Sequence, residues 1–555
     1  MSRLPELPFA LDIGGDVTPA DVADVARGRR RAVLGDVARR RIADAHAVLQ
    51  RMVGERRRIY GVTTGFGPLA SHPVAPEHAA TLQRHLVHHL AAGVGAPLAP
   101  EHVRATMAAR AASLARGHSG VAAPVVQLLL DMLERDVLPV VPECGTVGAS
   151  GDLTPLAHVA LAMMGEGEAT HAGTRLPAAE ALARAGLAPI AFGDKEALAL
   201  VNGTSCMTGI AAVNAVRTRE AVDLALRLAV LHAEVLVGRR EAWDGRFAVA
   251  RPHAGQAAVH ARLAELAAGS ARLVPSVQPP PVLDEGGADA RGLLPEGENP
   301  QDPYTTRCVP QLVGAILDVL DFHDRLVATE LRSATDNPLV FAADDAVLHG
   351  GNFFGQHVAF ASDALATAIV TLAGWTERAL ARVVDRARNG GLPAFLHGGT
   401  DGLDSGFMGA QVTATALVAE MRAQCLPASV QSLPTNADNQ DVVTMGTIAA
   451  RKAARQLELL RRLQAIQALA LAQAAELRTG PSLVGFAAES RALVAWVREL
   501  APPLGRDRPL SAEIERVAAA LDGVDWGAPL APSPRDPDRP PRRRTTASGT
   551  VLSAA

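Results

Sequence analysis

Ala465-Ile466-Gln467-Ala468-Leu469-Ala470-Leu471-Ala472-Gln473-Ala474-Ala475 decides the fold. The run is apolar nearly all round at helical spacing, so a helix built from it has no face to offer water. It lies inside a helical pattern from Asp441 to Arg478, far beyond the roughly dozen residues of an average helix. Other long patterns cover Met207 to Arg239, the residues after Cys308 through Leu331, and Gly355 to Ala387. With little strand signal beside them, these patterns predict a mainly α protein built as a long-helix bundle. A helix that must be buried on every side also favours an oligomer over a lone monomer.

The chain has 555 residues and 48% hydrophobic content, enough for a large core. Net charge is −4, which gives no global pull toward nucleic acid or membrane surfaces. Cys144, Cys206, Cys308 and Cys425 are scattered without CxxC spacing and read as reduced thiols of a cytoplasmic protein. The N-terminus lacks an apolar signal core, and no run of ~18 apolar residues is free of polar interruption, so no membrane span is expected. We divide the chain into an N-terminal domain at 1–175, a helical bundle with C-terminal helices at 176–530, and a disordered Pro/Arg-rich tail at 531–555. Pro279-Pro280-Pro281 and Gly286-Gly287 predict an exposed loop.

Aromatic residues make up only 3%, and there are two tyrosines, Tyr60 and Tyr304. Tyr60 opens a stretch to Gly67 with three glycines in eight residues, a tight turn without the Lys-Ser/Thr ending of a phosphate loop. His85 and His89 share a helix face four residues apart. No HExxH glutamate accompanies them, so we read no zinc site and no metal elsewhere. His89-Leu90 instead marks a helix end opening on a pocket.

Gly145-Thr146-Val147-Gly148-Ala149-Ser150-Gly151-Asp152-Leu153-Thr154-Pro155-Leu156-Ala157-His158 carries the chemistry. The Gly151 nitrogen can attack the Ala149 carbonyl, since neither residue has bulk to block it. Loss of two waters then closes a five-membered ring with an exocyclic methylene from Ser150, an electrophile needing no external cofactor. Glycines 145, 148 and 151 permit the unusual backbone this requires. Thr154-Pro155 reads as an N-cap followed by proline at the first helical position, placing Ser150 near a helix N-terminus. Ala547-Ser548-Gly549 repeats the tripeptide in the tail without any such setting.

Around these lie Asn202-Gly203, Gln301 with Tyr304 and Arg307, Asn337 in Thr335–Pro338, Phe353 in Gly350–Phe353, Met408 in Ser405–Gln411, and Asn436 with Gln440. The motifs GTVGASGDLTPLAH, ALVNGTS, QDPYTTRC, TDNP, GGNF, SGFMGAQ and NQD together resemble the aromatic amino acid lyases. These are the histidine, phenylalanine and tyrosine ammonia-lyases and related aminomutases that carry a methylidene-imidazolone group. The resemblance covers about Tyr60 to Arg478. It implies the mainly helical fumarase/aspartase-like fold, a homotetramer with sites drawn from several subunits, and a small aromatic amino acid as substrate.

It further implies roles. Ala149, Ser150 and Gly151 would form the prosthetic group, and Tyr60 would be the base, acting as phenolate. Tyr304 would be a second catalytic tyrosine, and Arg307 would hold the substrate carboxylate. Gly67, Leu90, Asn202, Gln301, Asn337, Phe353, Met408 and Asn436 would line the pocket. Phenylalanine lyases typically have Phe-Leu where His89-Leu90 stands, and histidine lyases Ser-His. His-Leu is the tyrosine-preferring pattern. Histidine lyases carry glutamate where Gln440 stands, which suits a cationic imidazole; a neutral amide suits a neutral arene. The implied activity is tyrosine ammonia-lyase, giving 4-coumarate, with some turnover of phenylalanine. The alternatives are a tyrosine 2,3-aminomutase, a phenylalanine or histidine lyase, and a non-catalytic helical tetramer. Arg332 departs from the family, which usually has asparagine there. Facing the pocket it would disturb substrate orientation.

Overall fold

A computed structural model describes residues 10–278 and 301–524. The predicted loop at Pro279–Pro281 with Gly286-Gly287, the tail at 531–555 and the second Ala-Ser-Gly lie outside the described residues. Helices account for 58% of the structure, and the strands are three or four residues long.

The N-terminal part runs through α1 (Pro19–Ala26), α2 (Asp36–Gly54), α3 (Ala79–Leu90), α4 (Pro100–Leu114), α5 (Ala123–Glu134), α6 (Leu153–Met163), α7 (Ala178–Arg184) and α8 (Glu196–Val201). The 31-residue α9 (Ser205–Val235) then enters the bundle, followed by α10 (Arg246–Ala250), α11 (Ala254–Leu266) and α12 (Tyr304–Arg307). The rest comprises α13 (Val309–Leu331), α14 (Gln356–Val384), α15 (Met408–Ala423), α16 (Gly446–Thr479), α17 (Ala488–Leu500) and α18 (Ser511–Ala520). Thr18 caps α1 through a reciprocal capping box with Asp21, as Thr-Pro-Ala-Asp implies.

Helix α9 packs against α13, α14 and α16, and α14 packs against α13 and α16. Leu463 to Ala475 of α16 are all buried. The chain's own helices cover that run, so its apolarity does not by itself demand a second copy: α9 and α14 lie along it. One core runs from Leu11 to Val213 and takes in Val327, Leu331, Val358, Ala450 and Ala454 from α13, α14 and α16; the other gathers residues from Ala215 to Ala518, and α9 belongs to both. By length and composition α14 could cross a membrane, against our expectation, yet 67% of its most apolar window is buried inside the bundle.

Directions matter for the site. Ser205, Gln356 and Gly446 begin α9, α14 and α16 at the same end: Gly355 and Gly446 both press on Met207. Val235 ends α9 at the other end, where Gly238 packs on Thr306 just before α13 starts. Helix α13 therefore runs opposite to the other three.

Candidate active site

The Ala149–Gly151 turn sits where α6, α9, α14 and α16 begin. Ser150 adopts a positive φ of 52° and Gly151 one of 75°, conformations that side-chain-bearing residues seldom hold. The Gly203 amide donates to the Ser150 carbonyl at 3.3 Å, and the Asp152 amide donates to the Gly203 carbonyl at 2.7 Å. A Cβ on Gly151 would fall 2.2 Å from the Gly203 carbonyl oxygen, so only glycine fits.

Helix α6 begins at Leu153, two residues before the expected start, and Asp152 rather than Thr154 stands at its N-cap. The Asp152 side chain does not cap its own helix. It accepts the Met207 amide at 2.8 Å and the Thr447 hydroxyl, tying the tripeptide loop to the first turns of α9 and α16. Burial pushes the Asp152 carboxyl up to about 6, against the pull of the Thr447 and Met207 hydrogen bonds and of Arg110. The buried Arg110 guanidinium donates to the Asn202 carbonyl at 2.8 Å, while burial lowers it to about 10. A fixed cation thus backs the Asn202-Gly203 strand. Behind it, Lys195 and Asp336 form a fully buried ion pair, and Lys195 also donates to the Ser119 carbonyl at 3.1 Å.

Four sequence-identified residues converge on this turn through short links. The Gln440 amide nitrogen lies 3.4 Å from Ser150 Oγ, and its oxygen accepts the Thr435 hydroxyl at 2.8 Å. Asn436, Ala437 and Asp438 all have positive φ between these two, a tight turn closed by paired Thr435 and Gln440 backbones. Asn436 lies against Gly67, where a Cβ would meet its amide nitrogen at 2.6 Å. The Gly67 amide in turn donates to the Tyr60 phenolic oxygen at 2.9 Å. His349 accepts the Tyr60 amide at 3.1 Å, and Asn337 accepts the Gly350 amide at 2.7 Å. The half-buried Phe353 follows, three residues before α14 begins.

Asn202 is buried, and its side-chain oxygen has no hydrogen-bond partner within the protein. His89 is exposed in the last turn of α3, with Leu90 partly buried beside it. Its Nδ1 faces the His85 carbonyl at 3.0 Å, so Nδ1 carries the proton and Nε2 is left as an acceptor. His85 contributes only that carbonyl. Among the described residues no cluster of three metal-ligating side chains forms. Arg332 donates to the Ala328 carbonyl at 2.8 Å and pairs with Asp16 at 2.6 Å.

Gln301, Tyr304, Arg307 and Met408 are not part of this group within one chain. α12 packs at the far end of α9, and 31 residues at about 1.5 Å each put it roughly 46 Å from the tripeptide. Met408 opens α15 next to a Phe407–Phe395 backbone bond, also beyond the end of α14. Tyr304 is 70% exposed, with the Arg307 guanidinium 4.7 Å above its ring. Arg307 Nε is buried without a partner, and no carboxylate among the described residues pairs with the group.

Residues 17–499 match the sequence profile of the aromatic amino acid lyases. The chain belongs to that family. It is 51% identical to a tyrosine ammonia-lyase of Cereibacter sphaeroides over 500 residues, covering 90% of this chain and 94% of that protein. A histidine ammonia-lyase of Symbiobacterium thermophilum is 42% identical, covering 92% and 96%. The structure superposes on a tyrosine aminomutase from Streptomyces globisporus with a TM-score of 0.86 at 37% identity, covering 93% and 96%. This aromatic amino acid lyase is thus a carbon–nitrogen lyase by family.

Sequence reasoning missed Asp152, Arg110, Thr435 and His349 as parts of the site. Asp152 and Arg110 stand in helical or motif surroundings that give no sign of burial; Thr435 acts through its side-chain and backbone bonds to Gln440, and His349 through a single hydrogen bond set by tertiary packing.

Proposed function

We propose that this aromatic amino acid lyase is a tyrosine ammonia-lyase converting L-tyrosine to trans-4-coumarate and ammonia, with phenylalanine as a poorer substrate. One observation carries the choice of substrate. His89 holds its Nδ1 proton on the His85 carbonyl and keeps Nε2 free to accept a phenol O–H. A site built to pair with a hydroxyl rejects analogues that lack it far better than an apolar pocket rejects an added group. Gln440, neutral and aimed at Ser150, fits an uncharged arene.

The residues fit a prosthetic group formed from Ala149, Ser150 and Gly151. The turn is bent at Ser150 and Gly151, and it is braced by Gly203. When formed, that group would supply an electrophilic methylidene that makes the substrate amine a better leaving group. Tyr60 removes a proton from the β-carbon; the C–H electron pair becomes the double bond as the carbon–nitrogen bond breaks. The Gly67 amide, pointing at the phenolic oxygen, favours negative charge there. Arg307 binds the carboxylate, with Tyr304 and Gln301 beside it. Gly67, Leu90, Asn337, Phe353, Met408 and Asn436 shape the remaining walls.

Because Arg307 and Ser150 sit at opposite ends of one chain, the working site needs another copy. A homotetramer meets that need. Exposed apolar residues such as Leu403, Val412, Leu426, Val430 and Leu433 supply surface for it. We place the enzyme in the cytoplasm.

The likeness to a tyrosine aminomutase supports a second reading, in which ammonia is retained and returned to the β-carbon. Separate incubation with L-tyrosine, L-phenylalanine and L-histidine tests both. We expect 4-coumarate from tyrosine as the fastest product. A β-amino acid as main product would instead make the enzyme a mutase, and fastest turnover of histidine would overturn the substrate assignment.

A further inference from the structure

The chain contains four tryptophans, and two of them act on the same turn. Trp243 Nε1 donates to the Thr306 carbonyl at 3.0 Å, and Trp375 Nε1 donates to the Thr305 carbonyl at 3.0 Å. These are consecutive carbonyls inside α12, the four-residue helix that carries Tyr304 and Arg307. A helix of one turn does not hold itself; nucleation costs more than its few hydrogen bonds return.

Both indoles are anchored. Trp243 is 4% exposed, and its own carbonyl meets Nδ1 of His260 at 3.0 Å. Trp375 is 6% exposed within α14. From the end of α9, Gly238 closes on Thr306, leaving 3.2 Å between an added Cβ and Thr306 Cγ2. The turn is therefore gripped from three separate elements. An indole N–H is a single donor on a large flat ring, so where it points is fixed by the packing of that ring. Arg307, held on this turn, has a buried Nε without a partner and no acid to neutralise it among the described residues.

We propose that Trp243 and Trp375 are positioning residues that fix the Tyr304–Arg307 turn so that Arg307 meets the substrate carboxylate. The proposal rests on the carboxylate role assigned to Arg307 above. A guanidinium clamp works only if its fork is held in line with the two carboxylate oxygens, and a mobile one-turn helix would spread that alignment. The two donors hold the backbone that bears it, without touching substrate.

The test uses the assembled full-length enzyme and ligand binding rather than turnover. Dissociation constants are measured for 4-coumarate, which has the carboxylate, and 4-vinylphenol, which lacks it. Trp243→Phe and Trp375→Phe keep most of the ring and remove the donor. Each is expected to weaken 4-coumarate roughly three- to tenfold, the scale of one buried hydrogen bond, and to leave 4-vinylphenol unchanged. In an Arg307→Gln background, Trp375→Phe should add no further loss, because it acts through Arg307. Intact mass should still show two waters missing, since the tripeptide is at the other end of α9. Equal weakening of both ligands, unchanged 4-coumarate binding, or an additive loss in the Arg307→Gln background would each overturn the proposal. If Trp243→Phe does not assemble, Trp375→Phe decides. Should Arg307→Gln alone leave 4-coumarate binding intact, the carboxylate role itself falls; if it weakens binding while the tryptophan variants do not, only the present proposal falls.

Discussion

The Gly67 amide donates a hydrogen bond to the Tyr60 phenolic oxygen across 2.9 Å, within a loop that also touches Asn436. The hydroxyl is thereby aimed back over its own loop and toward the Thr435–Gln440 turn. Tyr60→Phe removes the oxygen and little else. Turnover should fall by ~10²–10⁴, the range for loss of a positioned base, while the mass deficit of two waters persists. Retained activity near the wild-type rate would remove Tyr60 from the chemistry.

Gly151 has the tightest backbone contact at the tripeptide. A Cβ there would lie 2.2 Å from the Gly203 carbonyl oxygen, at a φ of 75°. Gly151→Ala should therefore abolish cyclisation, giving a chain of the full sequence mass with no measurable ammonia release. A variant that is still two waters lighter would show that the Gly203 strand yields more easily than its hydrogen bonds to Ser150 and Asp152 imply.

His89 presents Nε2 as an acceptor because Nδ1 is held by the His85 carbonyl. His89→Phe exchanges that acceptor for an apolar ring. The ratio of kcat/KM for tyrosine over phenylalanine should fall at least tenfold, about 1.4 kcal/mol of lost discrimination. An unchanged ratio would refute the phenol-reading role.

Acid stability follows from two buried histidines. Burial, with a nearby arginine in each case, pushes His102 and His232 down to about 4. The folded state holds them neutral, whereas unfolded imidazoles charge below about 6.5. Their contribution is full above that value and is lost as pH falls through about 4, on the order of 3 kcal/mol each. Asp152 works in the opposite sense: with its carboxyl raised to about 6, its contribution is present at low pH and lost as pH rises through 6. His158 and His349, also held below the usual imidazole value, and Glu101 and Asp363, held below the usual carboxylate value, add to the loss on acidification, while the raised Asp321 and Glu330 side with Asp152; the first set is the larger, so Tm should decline from pH 6.5 to 4. His232→Leu should make that decline shallower; an equal slope would exclude His232 as a cause.

The long helices were legible because each carries its pattern locally. Met207–Arg239 was predicted and Ser205–Val235 is observed; Gly355–Ala387 became Gln356–Val384. The start of α6 was misplaced because Asp152, adjacent to the Thr-Pro signal, takes its partners from α9 and α16 instead of its own helix. Ala465–Ala475 is satisfied within the chain, and in the proposed site it is the separation of Arg307 from Ser150 that calls for a second copy.

By itself the sequence determined the element types, the tripeptide able to cyclise, and the residue types at His89, Arg307 and Gln440 that point to an aromatic amino acid. Those properties depend on side-chain chemistry and on neighbours within a few positions. Tertiary structure alone decided which of these residues meet. Helix α9 is rigid and about 46 Å long, so residues at its two ends cannot meet within one chain however clearly their motifs belong together. It also decided that Tyr60, Gly67, Asn436, Gln440 and Ser150, spread over 380 positions of sequence, form one continuous chain of contacts. That proximity depends on α6, α9, α14 and α16 starting at one end of the bundle, an arrangement set by how their buried faces pack.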